Sequence, residues 1–399
     1  MKILWVCPTF LHPTTRGGQI RTLGMLRELH RSHEIHFAAL QRPEDGSEGV
    51  ERAPEFCAKS YPVFHDPPAA RSAAFYTQAL GSAFSEMPFA VSRWRSAALR
   101  QRVEQLLAGQ RFDRVVCDFL AAAPNVPSME RATLFQHNVE TIIWERLRDT
   151  ASNPLRRMAL RYEAARMLAY ERAMCRAAGH VIAVSEEDAD RMRSRFGISR
   201  ISAVPTGVDI DFFASRGDCA PEADLVFTGS MNWNPNIDGV SYFCAEILPL
   251  ILTRKPDCRI AIVGRTPPPS ITRLAEIHPN VSVTGDVPDI RPYLWGSKVC
   301  IVPLRIGGGT RLKIYEAMAA RVPVVSTSVG AEGLPVSNGE NIVLADDPRQ
   351  FAEACLELLG DNDRRHRLAG QAWDLVSSRY SWNQAADCFE RILETAPGL

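Results

Sequence analysis

Short apolar runs alternate with amphipathic segments along most of the chain, and this alternation predicts an α/β protein. In the first half, strands are predicted at residues 2–7, 35–40, 114–117, 133–137 and 180–184. Helices are predicted within 17–29, where a glycine-rich loop leads into the helix, and at about 96–109 and 155–178, while residues 60–95 are predicted to be irregular. Strands that alternate with helices in this way are typical of a parallel, doubly wound sheet.

The same pattern starts again near residue 210, which predicts a second sheet of the same kind. Its strands are predicted at 224–228, 259–263, 281–284, 299–303, 322–326 and 341–344, and a last helix at about 383–395. A chain of 399 residues is longer than one hydrophobic core usually supports. We therefore expect two Rossmann-like domains over 1–200 and 201–380, followed by a C-terminal segment over 381–399 that could pack back on the first domain.

The cysteines are scattered and suggest a reducing environment. None of the ten forms a C-x-x-C pair, and several lie in apolar runs, so we expect reduced core thiols in a cytoplasmic protein without a zinc site. The apolar run at the N-terminus is too short for a signal peptide, and no stretch of about 18 uncharged apolar residues occurs. The expectation is a chain that is neither exported nor membrane-spanning.

Charge is balanced overall but unevenly distributed. Residues 1–200 contain 28 Lys+Arg and 22 Asp+Glu, and much of the excess lies between Glu145 and Arg176, where eight arginines accompany four acids. A basic helical face is compatible with peripheral contact to the inner face of an anionic membrane or with an acidic acceptor. A solvated arginine face is the other interpretation, and charge runs usually indicate no more than that.

The candidate chemistry centres on residues 307–316, which read G-G-G-T-R-L-K-I-Y-E between a buried strand and a helix. Glycines allow backbone N–H groups to approach an anion closely, and the start of a helix favours negative charge. The pattern predicts a site for a nucleotide diphosphate, with an ordinary strand-to-helix turn as the alternative. The candidate binding residues in this stretch are Gly307, Gly308, Gly309, Thr310, Arg311, Lys313 and Glu316.

Five motifs, in order along the chain, resemble those of one enzyme family. They are G-G-Q-I-R-T at 17–22, F-Q-H-N at 135–138, V-I-A-V-S-E-E-D at 181–188, V-P-T-G-V-D at 204–209 and the run at 301–327. With this set, nearly the whole chain resembles the retaining nucleotide-sugar glycosyltransferases of the GT-B fold (family 4-like, group 1). The resemblance implies two Rossmann-like domains with parallel sheets facing across a cleft, the acceptor on the N-terminal side and the donor on the C-terminal side.

The resemblance gives Glu316 the role of holding the ribose of the donor nucleotide. Relatives carry another glutamate eight residues before this one, and it helps to hold the donor hexose. This chain has Gly308 at that position. Relatives also place an arginine after the glycine at 229 and a lysine six residues later, where this chain has Ser230 and Asn236. The positive charge for the diphosphate is therefore missing from its usual place, and Arg311 and Lys313 are the candidates to replace it.

Other site residues follow from the same resemblance. Gly17 and Gly18 match the N-terminal loop that approaches the donor phosphate and sugar, although a plain helix-entry turn would look the same. Asp286 and Val287 match the loop that receives the nucleotide base, with a solvent loop as the alternative.

His137 matches the family histidine that faces the reacting sugar, and it is the one predicted catalytic residue. It would position the donor sugar, or stabilise charge at the anomeric centre, by donating a hydrogen bond. Asp118 is expected either to face the acceptor or to cap a turn.

The expected activity is transfer of a hexose from a nucleotide-diphosphate donor to a hydroxyl of a glycan or glycolipid, with retention, in polysaccharide or glycoconjugate biosynthesis. No metal, cofactor or nucleic-acid partner is expected. Two alternatives remain open, namely a non-catalytic nucleotide-sugar-binding relative and a nucleotide-sugar epimerase, which would need general-base carboxylates.

Overall fold

The protein is described by a computed structural model that covers residues 1–14, 17–68, 72–83, 85–215, 217, 223–306 and 312–396. The chain divides into two compact units. The first comprises Met1–Thr206 together with Trp382–Leu399, and the second comprises Gly207–Ser381. Each unit is built around its own parallel sheet.

The first unit contains a seven-stranded sheet in the order β3-β2-β1-β4-β5-β6-β7. Its strands are β1 (Lys2–Cys7), β2 (Glu34–Gln41), β3 (Lys59–Phe64), β4 (Arg114–Asp118), β5 (Ala132–Phe135), β6 (His180–Ala183) and β7 (Ile201–Ala203). All neighbouring strands pair in parallel, as Ile3 opposite Ile35 and Ile3 opposite Arg114 illustrate for β1. β1 is buried almost throughout, as expected of a central parallel strand with helices on both faces.

Helices cover both faces of this sheet. They are α1 (Gly17–Leu29), α2 (Glu48–Glu51), α3 (Ala73–Ala83), α4 (Phe89–Ser92), α5 (Ala97–Gly109), α6 (Glu140–Asp149), α7 (Pro154–Ala177) and α8 (Glu186–Phe196). Side-chain caps fix where several begin: Ser96 accepts from the backbone of Leu99 at α5, and Asn153 accepts from Leu155 and Arg156 at α7.

The second unit contains a six-stranded parallel sheet in the order β10-β9-β8-β11-β12-β13. Its strands are β8 (Ala223–Thr228), β9 (Ile260–Val263), β10 (Val281–Val283), β11 (Ser297–Val302), β12 (Val324–Ser326) and β13 (Val343–Leu344). Its helices are α9 (Ile210–Ala214), α10 (Asn234–Tyr242), α11 (Leu248–Arg254), α12 (Pro269–Ile277), α13 (Arg291–Trp295), α14 (Leu312–Ala319), α15 (Pro348–Gly360) and α16 (Asn362–Arg379). The sequence-based prediction of an α/β chain with two parallel sheets is confirmed.

The last helix, α17 (Trp382–Thr395), belongs to the first unit. Its buried face packs in the same core as α1, with Phe389 close to Trp5 and Phe135. A carbon added at Gly24 of α1 would lie 2.4 Å from the Trp382 ring, so the two helices are in close contact. This helix is therefore part of the core of the first unit.

The prediction of an irregular region at 60–95 was wrong, because that region contains β3, α3 and α4. Proline at position 62 argues against a central strand, but β3 is the edge strand of its sheet, where a missing N–H is tolerated. The strand predicted at 133–137 ends at Phe135, so His137 lies in the loop that follows it. Among the described residues, no helix combines the length and the apolar character that crossing a bilayer requires.

Strand order locates the functional edge of each sheet. In the first unit the chain runs outward from β1 to β3 and then returns to β4 beside β1; in the second it runs from β8 to β10 and returns to β11 beside β8. Ligands of open α/β sheets bind at the carboxyl ends of the strands at such a switch point. Asp118 ends β4 and Thr228 ends β8, so these two residues lie at the switch-point edges of the two sheets.

Candidate functional site

In the second unit, the carboxyl end of β8 is tightly packed around Gly229. Its φ of 154° suits glycine, and a Cβ there would lie 2.6 Å from Nζ of Lys313 and 2.7 Å from Nδ2 of Asn236. Thr228, which precedes it, is buried, and its Oγ1 has no hydrogen-bond partner among the described residues. The chain thus turns at a residue without a side chain, beside an ammonium group and an unsatisfied hydroxyl.

Lys313 and Asn236 connect two elements at this edge. Nζ of Lys313, on the first turn of α14, donates a hydrogen bond to Oδ1 of Asn236 on α10 at 2.8 Å. Nδ2 of Asn236 donates to the backbone oxygen of Ser230 at 2.8 Å, and Asn236 itself is buried. Nζ of Lys313 also lies 4.0 Å from the centre of the Phe227 ring, where a cation–π interaction is favourable. Asn236 and the Phe227 ring thus hold the ammonium group at the end of β8.

Glu316 lies one turn further along α14 and is 8% exposed. Burial raises the pKa of its carboxyl group to about 7, and the charge of Lys313 partly opposes this shift. Within the described part of the chain, no hydrogen bond to this carboxylate is found. A buried acceptor without a donor fits the binding of hydroxyl groups, which is the role expected for Glu316.

Gly307, Gly308, Gly309, Thr310 and Arg311 lie outside the described residues. Their predicted contacts with the donor therefore stay predictions. The described residues on either side are Ile306, which is buried after β11, and Leu312, at which α14 begins.

Asp286 and Val287 follow β10 at the same edge of the sheet. Asp286 is exposed, and its carboxylate lies 3.9 Å from a guanidinium nitrogen of Arg265. Val287 is half-buried and packs against the core of the unit. The structure thus places this loop beside the turn after β9, and recognition of a base by its backbone stays a prediction.

In the first unit, the carboxylate of Asp118 is the centre of a buried hydrogen-bond network. Its Oδ2 accepts from Nε1 of Trp5 at 3.0 Å and from Oγ1 of Thr22 at 2.7 Å. Its Oδ1 accepts from Nε2 of His137 at 2.6 Å, and the residue is fully buried. Asp118 therefore neither faces an acceptor nor caps a turn: it joins β1, α1 and the loop after β5.

His137 is buried, and both of its ring nitrogens have protein partners. Since Asp118 only accepts, Nε2 carries the proton; Nδ1 then accepts from a guanidinium nitrogen of Arg21 at 3.0 Å. Burial lowers the pKa of His137, opposed by Asp118 and reinforced by Arg21, so the ring is neutral at pH 7. A neutral ring held this way presents an acceptor at Nδ1, whereas the sequence-based prediction had this side chain donating.

The predicted glycines lie beside this histidine. α1 begins at Gly17 itself, so Gly17 and Gly18 lie in the first turn of the helix, where a glycine-rich loop was predicted. A Cβ at Gly18 would lie 2.6 Å from the Phe119 ring, which stacks on His137 with centroids 3.8 Å apart. The structure therefore brings together Gly18, Phe119 and His137.

The loop that carries His137 is fixed from behind by Glu171. This buried carboxylate accepts from the backbone of Glu140 and Thr141, both at 2.9 Å, and from Nε2 of Gln136 at 3.1 Å. Burial raises the pKa of Glu171 to about 7, and the hydrogen bonds from Thr141 oppose that shift. Glu171 caps the start of α6 and holds the residue before His137.

Sequence reasoning missed Arg21, Glu171 and the direct link between Lys313 and Asn236. Arg21 stands inside the G-G-Q-I-R-T motif and also donates from Nε to Thr206 at 2.8 Å, so the motif itself was the available signal. No group of three or more His, Cys, Asp or Glu side chains suited to a metal ion occurs among the described residues. Metal independence stays a prediction.

Both halves of the chain match family models of glycosyltransferases. Residues 15–212 match the family model described as Glycosyltransferase Family 4, and residues 222–361 match that described as Glycosyl transferases group 1. A Klebsiella pneumoniae protein described as an uncharacterized 44.6 kDa protein in the cps region is 21% identical over 95% of this chain and 96% of its own length. A GDP-mannose:cellobiosyl-diphosphopolyprenol alpha-mannosyltransferase of Xanthomonas campestris is 34% identical over 21% of each chain.

Solved structures share the whole fold at low identity. Sucrose-phosphate synthase from Thermosynechococcus elongatus superposes with a TM-score of 0.74 at 17% identity, covering 99% of this chain and 98% of that one. HepE from Anabaena, in complex with UDP and glucose, gives a TM-score of 0.69 at 14% identity, covering 99% and 100%. From the matches in both halves and the shared architecture, the chain belongs to the group 1 glycosyltransferases with the GT-B fold.

Proposed function

We propose that this enzyme transfers a hexose from a nucleotide-diphosphate sugar to a hydroxyl of a glycan or glycolipid, with retention of the anomeric configuration. The reaction would serve polysaccharide or glycoconjugate biosynthesis. The proposal includes no metal and no cofactor. It assigns donor binding to the edge around Gly229, Lys313 and Glu316.

The position of Lys313 is the observation that carries this proposal. Its ammonium group lies beside Gly229 and is bound to Asn236, the residue that stands where relatives carry a lysine. Positive charge is therefore present at the carboxyl end of β8, and it is supplied by a lysine on α14. A leaving nucleoside diphosphate develops negative charge, and a fixed cation stabilises that charge most effectively when little reorganisation is needed.

Glu316 supports the same assignment. An acceptor that is mostly buried and lacks a donor among the described residues would gain two hydrogen bonds from a ribose diol. Thr228, whose buried hydroxyl is unsatisfied among the described residues, would gain a partner in the same way. These unmet hydrogen-bonding groups favour a polar ligand at this edge.

Relatives give further support for the donor class. HepE has been solved with UDP and with UDP-glucose, and a Staphylococcus aureus TarM variant with UDP. The similar Xanthomonas enzyme is named for a GDP-mannose donor and a diphosphopolyprenol acceptor, and the Klebsiella relative for the cps region. These names favour a nucleotide-sugar donor and a glycan or lipid-linked acceptor for the present enzyme.

For the reaction step we propose front-side attack. The acceptor hydroxyl forms the new bond to the anomeric carbon on the face from which the phosphate departs, and the departing phosphate oxygen takes the hydroxyl proton. No side-chain nucleophile is required. The cation at Lys313 stabilises the departing diphosphate, which is the contribution that a metal ion makes in other transferases.

We retain His137 as the proposed catalytic residue, with a changed role. A sugar hydroxyl could donate to Nδ1 if it displaced the Arg21 guanidinium, because Nε2–H stays bound to Asp118. His137 would then orient the donor sugar as an acceptor. Asp118 and Glu171 would act as positioning residues, since they fix the ring and the loop that carries it.

A thermal-shift panel of nucleoside diphosphates and nucleotide sugars tests the proposal first. A ligand that binds only the native state raises the melting temperature, so stabilisation by one base series is expected, and Glu316→Ala should abolish it. The stabilising sugar nucleotide is then incubated with candidate acceptors, and NMR of the product reports the anomeric configuration. Binding without turnover by any acceptor, or an inverted product, would contradict the proposed reaction. No stabilisation by any nucleotide would favour a degenerate, non-catalytic relative.

A further inference from the structure

The hairpin formed by α6 and α7 carries an unusual concentration of exposed apolar side chains. Leu155, Met158 and Tyr162 are 74%, 66% and 50% exposed. They account for three of the seven large hydrophobic residues found exposed in the described part of the chain. Large apolar side chains that are exposed together usually mark a surface that contacts something else.

These three residues share one face of α7. Their spacing of three and then four residues places them in a single stripe along the helix, and Ala159 and Ala165, both exposed, extend it. The first two turns of α7 are exposed on nearly every side, and Leu160 is half-buried. Leu155 and Met158 thus lie open on this face, while the Tyr162 ring contacts the guanidinium of Arg166 at 5.3 Å and is still half exposed.

Arginines border the stripe on both sides. Arg156 and Arg161 are exposed, and among the described residues neither forms an ion pair, whereas Arg148 pairs with its neighbour Asp149. Successive residues of an α-helix are rotated by a constant angle around its axis. Arg156 and Arg161 therefore lie on opposite sides of the stripe made by Leu155, Met158 and Tyr162.

Between α6 and α7 the arginines also line an open cavity. Its volume is about 460 Å³, and its lining residues are Arg148, Asp149, Arg157 and Arg161. Arg157 is held in place by hydrogen bonds from its guanidinium to the backbone oxygen of Ala151, the shorter at 2.7 Å. Three guanidinium groups against one carboxylate leave positive charge here, and guanidinium groups bind phosphate well because of their planar donor geometry.

We propose that the α6–α7 hairpin docks on an anionic lipid bilayer. Leu155, Met158 and Tyr162 would enter the boundary between headgroups and acyl chains, while Arg156 and Arg161 contact lipid phosphates on either side. The cavity between the helices receives one lipid headgroup phosphate. An apolar stripe with arginines on its flanks is the pattern of a helix that lies in the membrane interface. This inference is independent of the proposed reaction, because it rests on surface residues of α6 and α7 alone.

Charge complementarity selects this occupant over others. A nucleic acid would use the arginines but would leave the apolar stripe in water, and a purely apolar protein partner would leave the arginines unpaired. Anionic lipid satisfies both, because its phosphates attract each nearby arginine and its acyl chains receive the apolar side chains. A second copy of this chain is the remaining competitor, and the experiment includes it as an outcome.

Vesicle co-sedimentation tests the proposal with the full chain. Wild type is mixed with phosphatidylcholine vesicles and with vesicles of phosphatidylcholine and phosphatidylglycerol in equal parts, at low and high salt. Binding is expected only to the anionic vesicles and should weaken at high salt, since salt screens surface charge. Arg156→Glu/Arg161→Glu should reduce binding at least about 20-fold, and Leu155→Ser/Met158→Ser should reduce it without removing the salt dependence.

Matched variants separate this surface from general effects. Arg95→Glu/Arg102→Glu makes the same charge change at exposed arginines of the same unit, and Ile277→Ser removes another exposed apolar side chain. Both controls should bind like wild type, with folding checked by circular dichroism. Absence of binding to the anionic vesicles at both salt concentrations, or equal losses in the controls, would overturn the proposal. So would a wild-type dimer that the Leu155→Ser/Met158→Ser variant converts to a monomer while vesicle binding is absent.

Discussion

Lys313 donates a hydrogen bond from Nζ to Oδ1 of Asn236 at 2.8 Å, and this contact places a cation where the sequence of the preceding loop supplies none. The family resemblance implies a lysine at the position of Asn236, and here the amide oxygen of Asn236 instead accepts a hydrogen bond from a lysine on α14. Asn236 also ties the ammonium group to the backbone of Ser230. The positive charge at the end of β8 therefore comes from α14.

Gly229 makes this arrangement possible, and its replacement should disrupt it. In Gly229→Ala the new Cβ would lie 2.6 Å from Nζ of Lys313, which must move, and the φ of 154° is unfavourable for alanine. We expect nucleoside diphosphate affinity to fall about tenfold or more, as measured by calorimetric titration. Gly370→Ala is the control, because a Cβ at that position would have no atom within 4 Å and its backbone is helical. Equal affinity in wild type and Gly229→Ala would show that the Lys313 position is irrelevant to binding.

Binding of the donor should depend on pH through Glu316. The pKa of this carboxyl is raised to about 7 by burial, and ribose hydroxyls donate to the ionised form, so a bound ligand lowers it. The ionised fraction falls as pH drops through 7, and the dissociation constant should therefore increase about tenfold from pH 8 to pH 6. The nucleotide sugar is the ligand to titrate, because its phosphodiester groups do not change charge in this range.

Glu316→Gln provides the comparison for that experiment. The amide does not titrate, so its affinity should be lower than that of wild type at pH 8 and nearly constant down to pH 6. A wild-type profile that is flat, or a variant profile with the same slope, would remove Glu316 from the donor site.

The network around Asp118 should be essential for stability. In Asp118→Asn the amide nitrogen must face either His137 or the donors Trp5 and Thr22, because each carboxylate oxygen accepts from one of these sides. Changing the tautomer of His137 gives no relief, since Nδ1 then faces the Arg21 guanidinium. We expect a loss of about 2–4 kcal/mol in the free energy of unfolding, measured by urea denaturation. Asp66→Asn, on an exposed residue, should change it by less than about 0.5 kcal/mol.

Most of the fold could be predicted because buried parallel strands occur in the sequence as continuous apolar runs. β1 and β8 are examples, with nearly every side chain buried. The prediction failed at β3, where a proline and exposed side chains reflect an edge position that only the sheet order reveals. Similarly, α6 was not predicted, because its start is fixed by Glu171, a residue 30 positions away from Thr141.

The sequence was informative for those candidate site residues that lie close together in the chain. Lys313 and Glu316 lie on one short helix whose sequence already indicates an anion and a hydroxyl ligand. The bond from Lys313 to Asn236, 77 residues earlier, depends on β8 and β11 being neighbours, and a local pattern does not contain that information. The same holds for His137: its sequence position was informative, but its tautomer is set by Asp118 and Arg21 through tertiary packing.

Calorimetric titration of Lys313→Met with the nucleoside diphosphate and the nucleoside monophosphate of the stabilising base measures directly whether Lys313 binds the donor diphosphate. Lys255→Met, at a half-buried lysine of the same unit that pairs with Asp257, is the control. We expect wild type and the control to bind the diphosphate alike, and Lys313→Met to bind it about 10- to 100-fold more weakly, with a smaller loss for the monophosphate. Diphosphate affinity in Lys313→Met equal to that of wild type would contradict the placement of the donor at this edge.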